Sequence, residues 1–305
     1  MPTVRTAPLT QRSLRARAWV TRSAATCGRM FSRLTASTIK APLKRLGYVL
    51  WVLGGRFGRP LSFGFAHQAT ILLPAYSPER VHNVEPMVRT VLRCDFVSRV
   101  IVSNHNPDIR IEDHVRLRDD RVVCVDQPIR RGCGHCWIVA SDFDPEFLIC
   151  IDDDLRLLPS QVARLFERLL EEPAIPHGLA GIRASRYYQN RDMEVDELNQ
   201  VYAIARAHLR TYRDLVAAIT TQGLVTHDTV EFWGDDIVIS QSGAGRPKIH
   251  ETGFILRCPT ANHPRVATYK QPPFPESRAA VYSALAKVRR QGRGARRLDQ
   301  PRPDG

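Results

Sequence analysis

Three adjacent carboxylates, Asp152, Asp153 and Asp154, and a later pair, Asp235 and Asp236, are the side chains in this sequence best suited to chemistry. The triplet directly follows the run Phe147-Leu148-Ile149-Cys150-Ile151. A short, apolar, β-branched run without alternation reads as a strand buried on both faces. Where such a strand leaves an open α/β sheet is where ligands bind. Three neighbouring anions need solvent or a cation. Hard oxygen donors on alternate residues, here Asp152 and Asp154, suit Mg²⁺ or Mn²⁺, and those ions bring phosphates with them. On this stretch alone the alternative is an acidic turn leading into the helix that starts near Pro159, favoured there by the helix dipole.

Asp235 and Asp236 follow Glu231-Phe232-Trp233-Gly234 and open the segment DDIVIS. Two acids in a first turn also complement a helix dipole. A second acidic pair at an element boundary, about 80 residues after the first, is equally what a two-part site needs. One group holds a metal and a phosphate, and the other orients or deprotonates a hydroxyl. Pro74-Ala75-Tyr76 ends an apolar run and offers a flat face for a base, or a turn with a half-buried Tyr. Arg131, in Arg130-Arg131-Gly132, could contact a diphosphate or belong to a solvated basic turn. Cys133-Gly134-His135-Cys136 has the spacing of a redox dithiol. Gly132 stands where that motif carries Trp, and no second CxxC completes a zinc site. These are read as loop cysteines, and His250, in a late strand, as either a third metal ligand or, the favoured reading, a polar residue.

The elements that must position these groups alternate. Strands are predicted over 69–76, 98–105, 121–126, 147–151 and 178–187. Helices are predicted over 78–94, 134–141 and 160–171, a long one over 196–219, and one starting at Asp235. Residues 220–232 read as irregular or stranded, and 247–256 as a late strand. Beyond Pro272, a Pro-rich linker, a helix over 279–288 and a Gly/Arg/Pro tail read as peripheral. The alternation implies an α/β fold: a mostly parallel sheet flanked by helices.

The net charge of +13 over 305 residues is unevenly placed. Residues 1–66 hold 12 basic residues and no acidic one, whereas 67–285 hold 25 basic against 29 acidic. The expected organisation is a basic N-terminal arm, 1–66, disordered or membrane-peripheral, a catalytic domain, 67–285, and a basic disordered tail, 286–305. The most apolar piece of the arm, LGYVLWVL from Leu46 to Leu53, is too short to span a bilayer. It suits an interfacial helix with Tyr48 and Trp51 at headgroup level, giving peripheral membrane contact through residues 40–60. The acid-free, Arg-rich composition also fits an organelle targeting peptide. The expected location is cytoplasmic or at a membrane surface, with no nucleic-acid partner. Seven scattered cysteines, an odd number, do not form a disulfide framework.

TILLPAY, RVIVSN, RGCGHCWIVA, FLICIDDDLRLLP and EFWGDDIVIS, spread over roughly 67–260, together resemble the nucleotide-sugar glycosyltransferases of GT-A fold. The resemblance implies an acidic D-x-D motif, Asp152–Asp154, holding Mn²⁺ or Mg²⁺ on the donor diphosphate, with Asp154 and Asp152 as ligands and Asp152 and Asp153 contacting donor. It places the nucleobase at Pro74 and Tyr76, with UDP the expected carrier. It puts Asp236 beside the reacting sugar carbon, and Asp235 as its support or on the acceptor, a saccharide or other hydroxyl. Two branches compete: the inverting family-2-like enzymes and the retaining exostosin-type family 64. The second is favoured by IDDD and Asp235-Asp236-Ile237. Its W-N-N motif is only loosely echoed by Ser103-Asn104-His105-Asn106, which brings Asn104 into the donor-binding set. Ser240 departs from that family's Asn. The rival readings are a Mg²⁺ phosphohydrolase with a strand-end D-x-D, in which Arg156 stands where Thr or Val is required, and a non-catalytic basic adaptor working through residues 1–66.

Overall fold

The computed structural model describes residues 45–258, 261 and 267–298. The chain divides into two compact units, Met1–Leu50 and Trp51–Gly305. Of the first unit, the described residues 45–50 are helical and begin α1, which runs over 45–57. Residues 1–44 of the arm, on which the targeting expectation mainly falls, lie outside the described residues, as does the tail from 299. Among the described residues no helix is long and apolar enough to cross a membrane.

The second unit opens as the sequence predicts. β1 (Ala69–Ala75), α2 (Val84–Val91), β2 (Val97–Asn104), β3 (Val122–Asp126), α3 (His135–Asp142), β4 (Phe147–Ile151) and, after the two-residue β5 (Leu155–Arg156), α4 (Pro159–Glu171) follow in order. The second half holds β6 (His177–Arg183), β7 (Arg186–Gln189), β8 (Met193–Glu194), β9 (Glu197–Ala205), α5 (Arg206–Thr221), α6 (His227–Trp233), α7 (Asp235–Ser240), β10 (Lys248–Ile249), β11 (Leu256–Arg257) and α8 (Phe274–Leu298). The main sheet runs β3-β2-β1-β4-β9-β6-β10-β8, with β7 on β6. β3, β2, β1 and β4 are parallel, and β9 enters antiparallel between β4 and β6. The expected α/β sheet flanked by helices is therefore present, with all residues of β1 and β4 buried.

Strand alternation divides the core. Leu72, Ile101, Leu148 and Cys150 pack with Leu198, Tyr202 and Ile204 against α3, α5, α7 and α8. Around Phe166 of α4, Phe65, Phe96 and Phe147 form an aromatic cluster with ring centroids 4.8–5.7 Å from it. Such contacts add about 0.5–1.5 kcal/mol per pair beyond area burial.

Five expectations are corrected. The predicted helix 196–219 is a strand and then a helix. Leu198, Val201 and Ala205 happen to match a helical period, but the segment is hydrogen-bonded on both edges, and that pairing overrides the pattern. The helix starts only at Arg206, where the Ala205 amide donates to His208 Nδ1 at 3.0 Å. The predicted strand 178–187 is a hairpin that turns at Ala184 and Ser185. The irregular 220–232 contains α6, capped by Thr226 Oγ1 accepting from the Thr229 amide. The strand 247–256 is two short bridges separated by Gly253 at φ 93°. The segment beyond Pro272 is not peripheral: α8 buries Val281, Ala284 and Leu285 against α5, α6 and α7, an i, i+3, i+4 stripe.

Candidate active site

β4 places the triplet. Its side chains alternate, so Asp152 continues the Leu148–Cys150 face and enters a cavity that it shares with Asp235. The Asp152 amide donates to the Gln200 carbonyl at 2.9 Å. Gln200 itself sits at φ 71°, a left-handed conformation that costs a non-glycine residue about 1–3 kcal/mol. Asp153 and Asp154 are both buried, and Arg80 grips them, Nη1 on Asp153 Oδ1 at 3.1 Å and Nη2 on Asp154 Oδ2 at 3.4 Å. Asn83 Nδ2 donates to the Asp153 carbonyl at 3.1 Å, and the Cys258 amide to the Asp154 carbonyl at 2.7 Å. The backbone of the triplet is thus fixed from three sides. Asp154 Oδ1 is buried with no hydrogen-bond partner among the described residues.

Crowding shows in the proton affinities. Burial, then Asp154, Asp153 and Asp235, holds the Asp152 carboxyl well above the usual carboxylate range. Burial pushes Asp153 up to about 6 even though Arg80 pulls the other way. Burial also raises Asp154, against Arg80 and Arg257.

The second acidic pair is delivered by the α6–α7 junction. Asp235 Oδ2 accepts from Trp137 Nε1 at 3.0 Å. Burial and then Asp236 push its carboxyl up to about 7. Asp236 Oδ1 accepts from Arg278 Nη1 at 2.7 Å and from the Ile237 amide at 2.9 Å. Arg278 also donates to Glu197, whose second oxygen accepts from the Tyr282 hydroxyl. Glu197 is buried, and burial with Asp236 pushes it up to about 7. Two glycines let this junction approach α3. A Cβ on Gly134 would lie 2.6 Å from Asp235 Cβ, and one on Gly132 would lie 2.4 Å from the Glu231 carbonyl oxygen. In RGCGHC the glycines therefore explain the motif better than the cysteines. For Cys133, which is exposed, the contact with Cys136 favours the thiolate, while the nearby carboxyls of Asp235 and Asp152 oppose it. Cys136 is buried, and burial raises its thiol far above the ordinary range, which disfavours the thiolate that a redox pair needs.

The cavity measures about 480 Å³ and takes in Pro74, Asp152, Asp154, Asp235 and Asp236. The other predicted site residues do not line it. Tyr76 lies under Arg130, whose guanidinium carbon is 5.6 Å from its ring centroid and whose Nη1 donates to its hydroxyl at 3.2 Å. Asn104 is buried and spent on its own loop: Nδ2 donates to the Ile109 carbonyl at 2.6 Å, to Asp126 Oδ1 at 2.7 Å and to the Asn106 carbonyl at 3.1 Å. Arg131 pairs with Glu231 at 2.9 Å instead of facing the cavity. The cavity also holds Arg80, Glu197, Arg257 and Arg278, which sequence reasoning did not select. Arg80 is a single basic residue in a turn, Arg257 one in the two-residue β11, and Arg278 lies in the stretch read as peripheral.

No protein-family model matches the chain, and no curated protein matches it in sequence. Three solved structures that it is similar to are GalNAc-T7 with UDP, GalNAc and Mn²⁺, TarS 1-349 of S. aureus, and a CMP:2-keto-3-deoxy-manno-octonic acid synthetase complexed with CTP. For GalNAc-T7 the identity is 9%, with a TM-score of 0.45, covering 62% of this chain and 42% of that one. For TarS the identity is 13% and the TM-score 0.43, with 62% and 59% covered. For the synthetase they are 16% and 0.36, with 48% and 78% covered. The match spans less than two thirds of the GalNAc-T7 and TarS chains.

Proposed function

We propose that this chain is a metal-dependent glycosyltransferase that moves a sugar from a nucleoside-diphosphate sugar to an acceptor hydroxyl. One observation carries the reading. Two acidic groups far apart in sequence, Asp152/Asp154 and Asp235/Asp236, line one cavity beyond the carboxyl end of β4. The resemblance of the motifs to GT-A enzymes agrees with that placement.

The residues present fit a divalent cation. Five carboxyl groups line the cavity against three guanidiniums, and the raised proton affinities of Asp152, Asp235 and Glu197 show that added positive charge would be accommodated there. Asp154 Oδ1 is buried and lacks a partner among the described residues. Among the described residues no three His, Cys, Asp or Glu side chains form a ready cage. Mg²⁺ and Mn²⁺ are commonly held by one or two carboxylates and completed by substrate phosphates. Asp154 and Asp152 would hold it, and when bound it would offset the charge that builds on a leaving nucleoside diphosphate.

The chain's own residues supply the rest. Arg80 keeps Asp153 and Asp154 in register. Arg257 and Arg278 bring fixed positive charge to a cavity where phosphate charge must be accommodated. Arg278 holds one Asp236 oxygen, which leaves Oδ2 for substrate. If the configuration inverts, Asp236 takes the acceptor proton; if it is retained, Asp236 stabilises positive charge at the sugar carbon. Calorimetric titration tests the metal assignment. Asp154→Ala is expected to abolish Mn²⁺-dependent binding of a nucleotide sugar, and unchanged binding would overturn it.

A further inference from the structure

Away from the carboxylate cavity, two buried histidines form an unusual chain. His177 Nε2 lies 2.9 Å from the Glu172 carbonyl oxygen. His177 Nδ1 lies 2.9 Å from His250 Nε2, and His250 Nδ1 lies 3.1 Å from Asp192 Oδ1. The rings stack with centroids 5.1 Å apart. Both ends of the chain are oxygen acceptors, so each of the three gaps needs one proton from a ring nitrogen. Two neutral imidazoles supply two protons, and a third completes the chain with one net positive charge. A fourth cannot enter, because two N–H groups would then face each other across the central gap. The joined pair accepts at most one charge, whereas the separated pair accepts two.

The chain sits at the root of the segment 250–258. The Glu251 amide donates to Asp192 Oδ1 at 3.4 Å and the Gly253 amide to Asn190 Oδ1 at 3.1 Å. Further along, β11 pairs with β5, the Cys258 amide holds the Asp154 carbonyl, and Arg257 enters the carboxylate cavity. Around the rings, α4 contributes Arg168, paired with Glu171 at 2.7 Å, and Glu172, paired with Lys248 of β10 at 2.7 Å. β8 contributes Glu194. Asp192 is the acid in direct contact.

We propose that the Glu172–His177–His250–Asp192 chain is an acid-released latch on the segment 250–258, joined near neutral pH and opened when both imidazoles become charged. The direction agrees with the environment. Burial holds His177 down to about 4, and burial, outweighing Asp192, lowers His250. Folded-state values below the free imidazole value of about 6.5 agree with the proton count of the chain: the joined pair takes up at most one added proton, the separated pair two. The stability of the joined state is therefore present above that value and lost as pH falls through it.

Hydrogen exchange on the full chain, corrected for intrinsic rates, tests the latch. Protection of the Glu251 and Gly253 amides is expected to fall at least about tenfold per pH unit below about pH 6, the slope of one-proton linkage, while Leu72 in β1 stays protected. His177→Gln should flatten that dependence, and Asp192→Asn, at an exposed carboxylate that can be changed without disturbing the core, should move the release to higher pH. A wild-type profile flat from pH 7.5 to 5, or the same slope in His177→Gln, would overturn the proposal. These readouts do not depend on which reaction the cavity catalyses.

Discussion

At the scale of residues, the site is a problem of crowded negative charge. Asp152, Asp154, Glu197, Asp235 and Asp236 share one cavity with Arg80, Arg257 and Arg278. The roles assigned to Asp154 and Asp236 separate in experiment. Asp236→Asn is expected to lower transfer at least about 10²-fold, the scale of a lost general base, while calorimetric donor binding persists. Loss of both together would reduce Asp236 to a structural part. Glu197 gives a pH test. Its carboxyl is raised from 4.5 to about 7 by burial and Asp236, so the folded state binds more protons. The stability this adds is present below about 4.5 and lost as pH rises toward 7. Subtracting denaturation curves of Glu197→Gln from wild type in metal-free buffer should show a difference falling by up to about 1.4 kcal/mol per pH unit in that window. A pH-independent difference would contradict it. The acidic triplet and the Asp235 pair were legible because charge directly after an apolar run is conspicuous. Glu197 was not, because it opens a strand that imitates a helical period.

At the scale of elements, the parallel half of the sheet could be read directly: β4 spans Phe147–Ile151, the residues its composition predicted. Runs buried on both faces leave little ambiguity. The second half could not, because β9 takes its conformation from hydrogen bonds to β4 and β6, which are distant in sequence. α8 was undervalued for a related reason: its basic, Gly-containing end dominates its composition, while its packed stripe is only Val281, Ala284 and Leu285. The stripe holds Arg278 and Tyr282 over the site. Leu285→Ala should therefore cost about 2–4 kcal/mol by denaturant titration, while Ser283→Ala on the exposed face should stay within about 0.5 kcal/mol. Equal effects would mean that α8 is not docked as described. Gly134→Ala must displace Asp235, whose Cβ would be 2.6 Å away.

At the scale of the molecule, charge and chemistry are segregated. The basic excess lies in the first 66 residues and the tail, while the body is slightly acidic. That division predicts that removing residues 1–44 leaves donor hydrolysis unchanged, and that any affinity of the full chain for anionic vesicles falls with salt. Loss of hydrolysis on truncation would place catalytic groups in the arm. The most direct test of the whole account is a panel of nucleoside-diphosphate sugars incubated with the full chain and Mn²⁺ or Mg²⁺, read as released nucleoside diphosphate. The account predicts metal-dependent release from at least one donor, stopped by chelation and by Asp154→Ala. Release from none of them, or release indifferent to chelator and to Asp154→Ala, would contradict it.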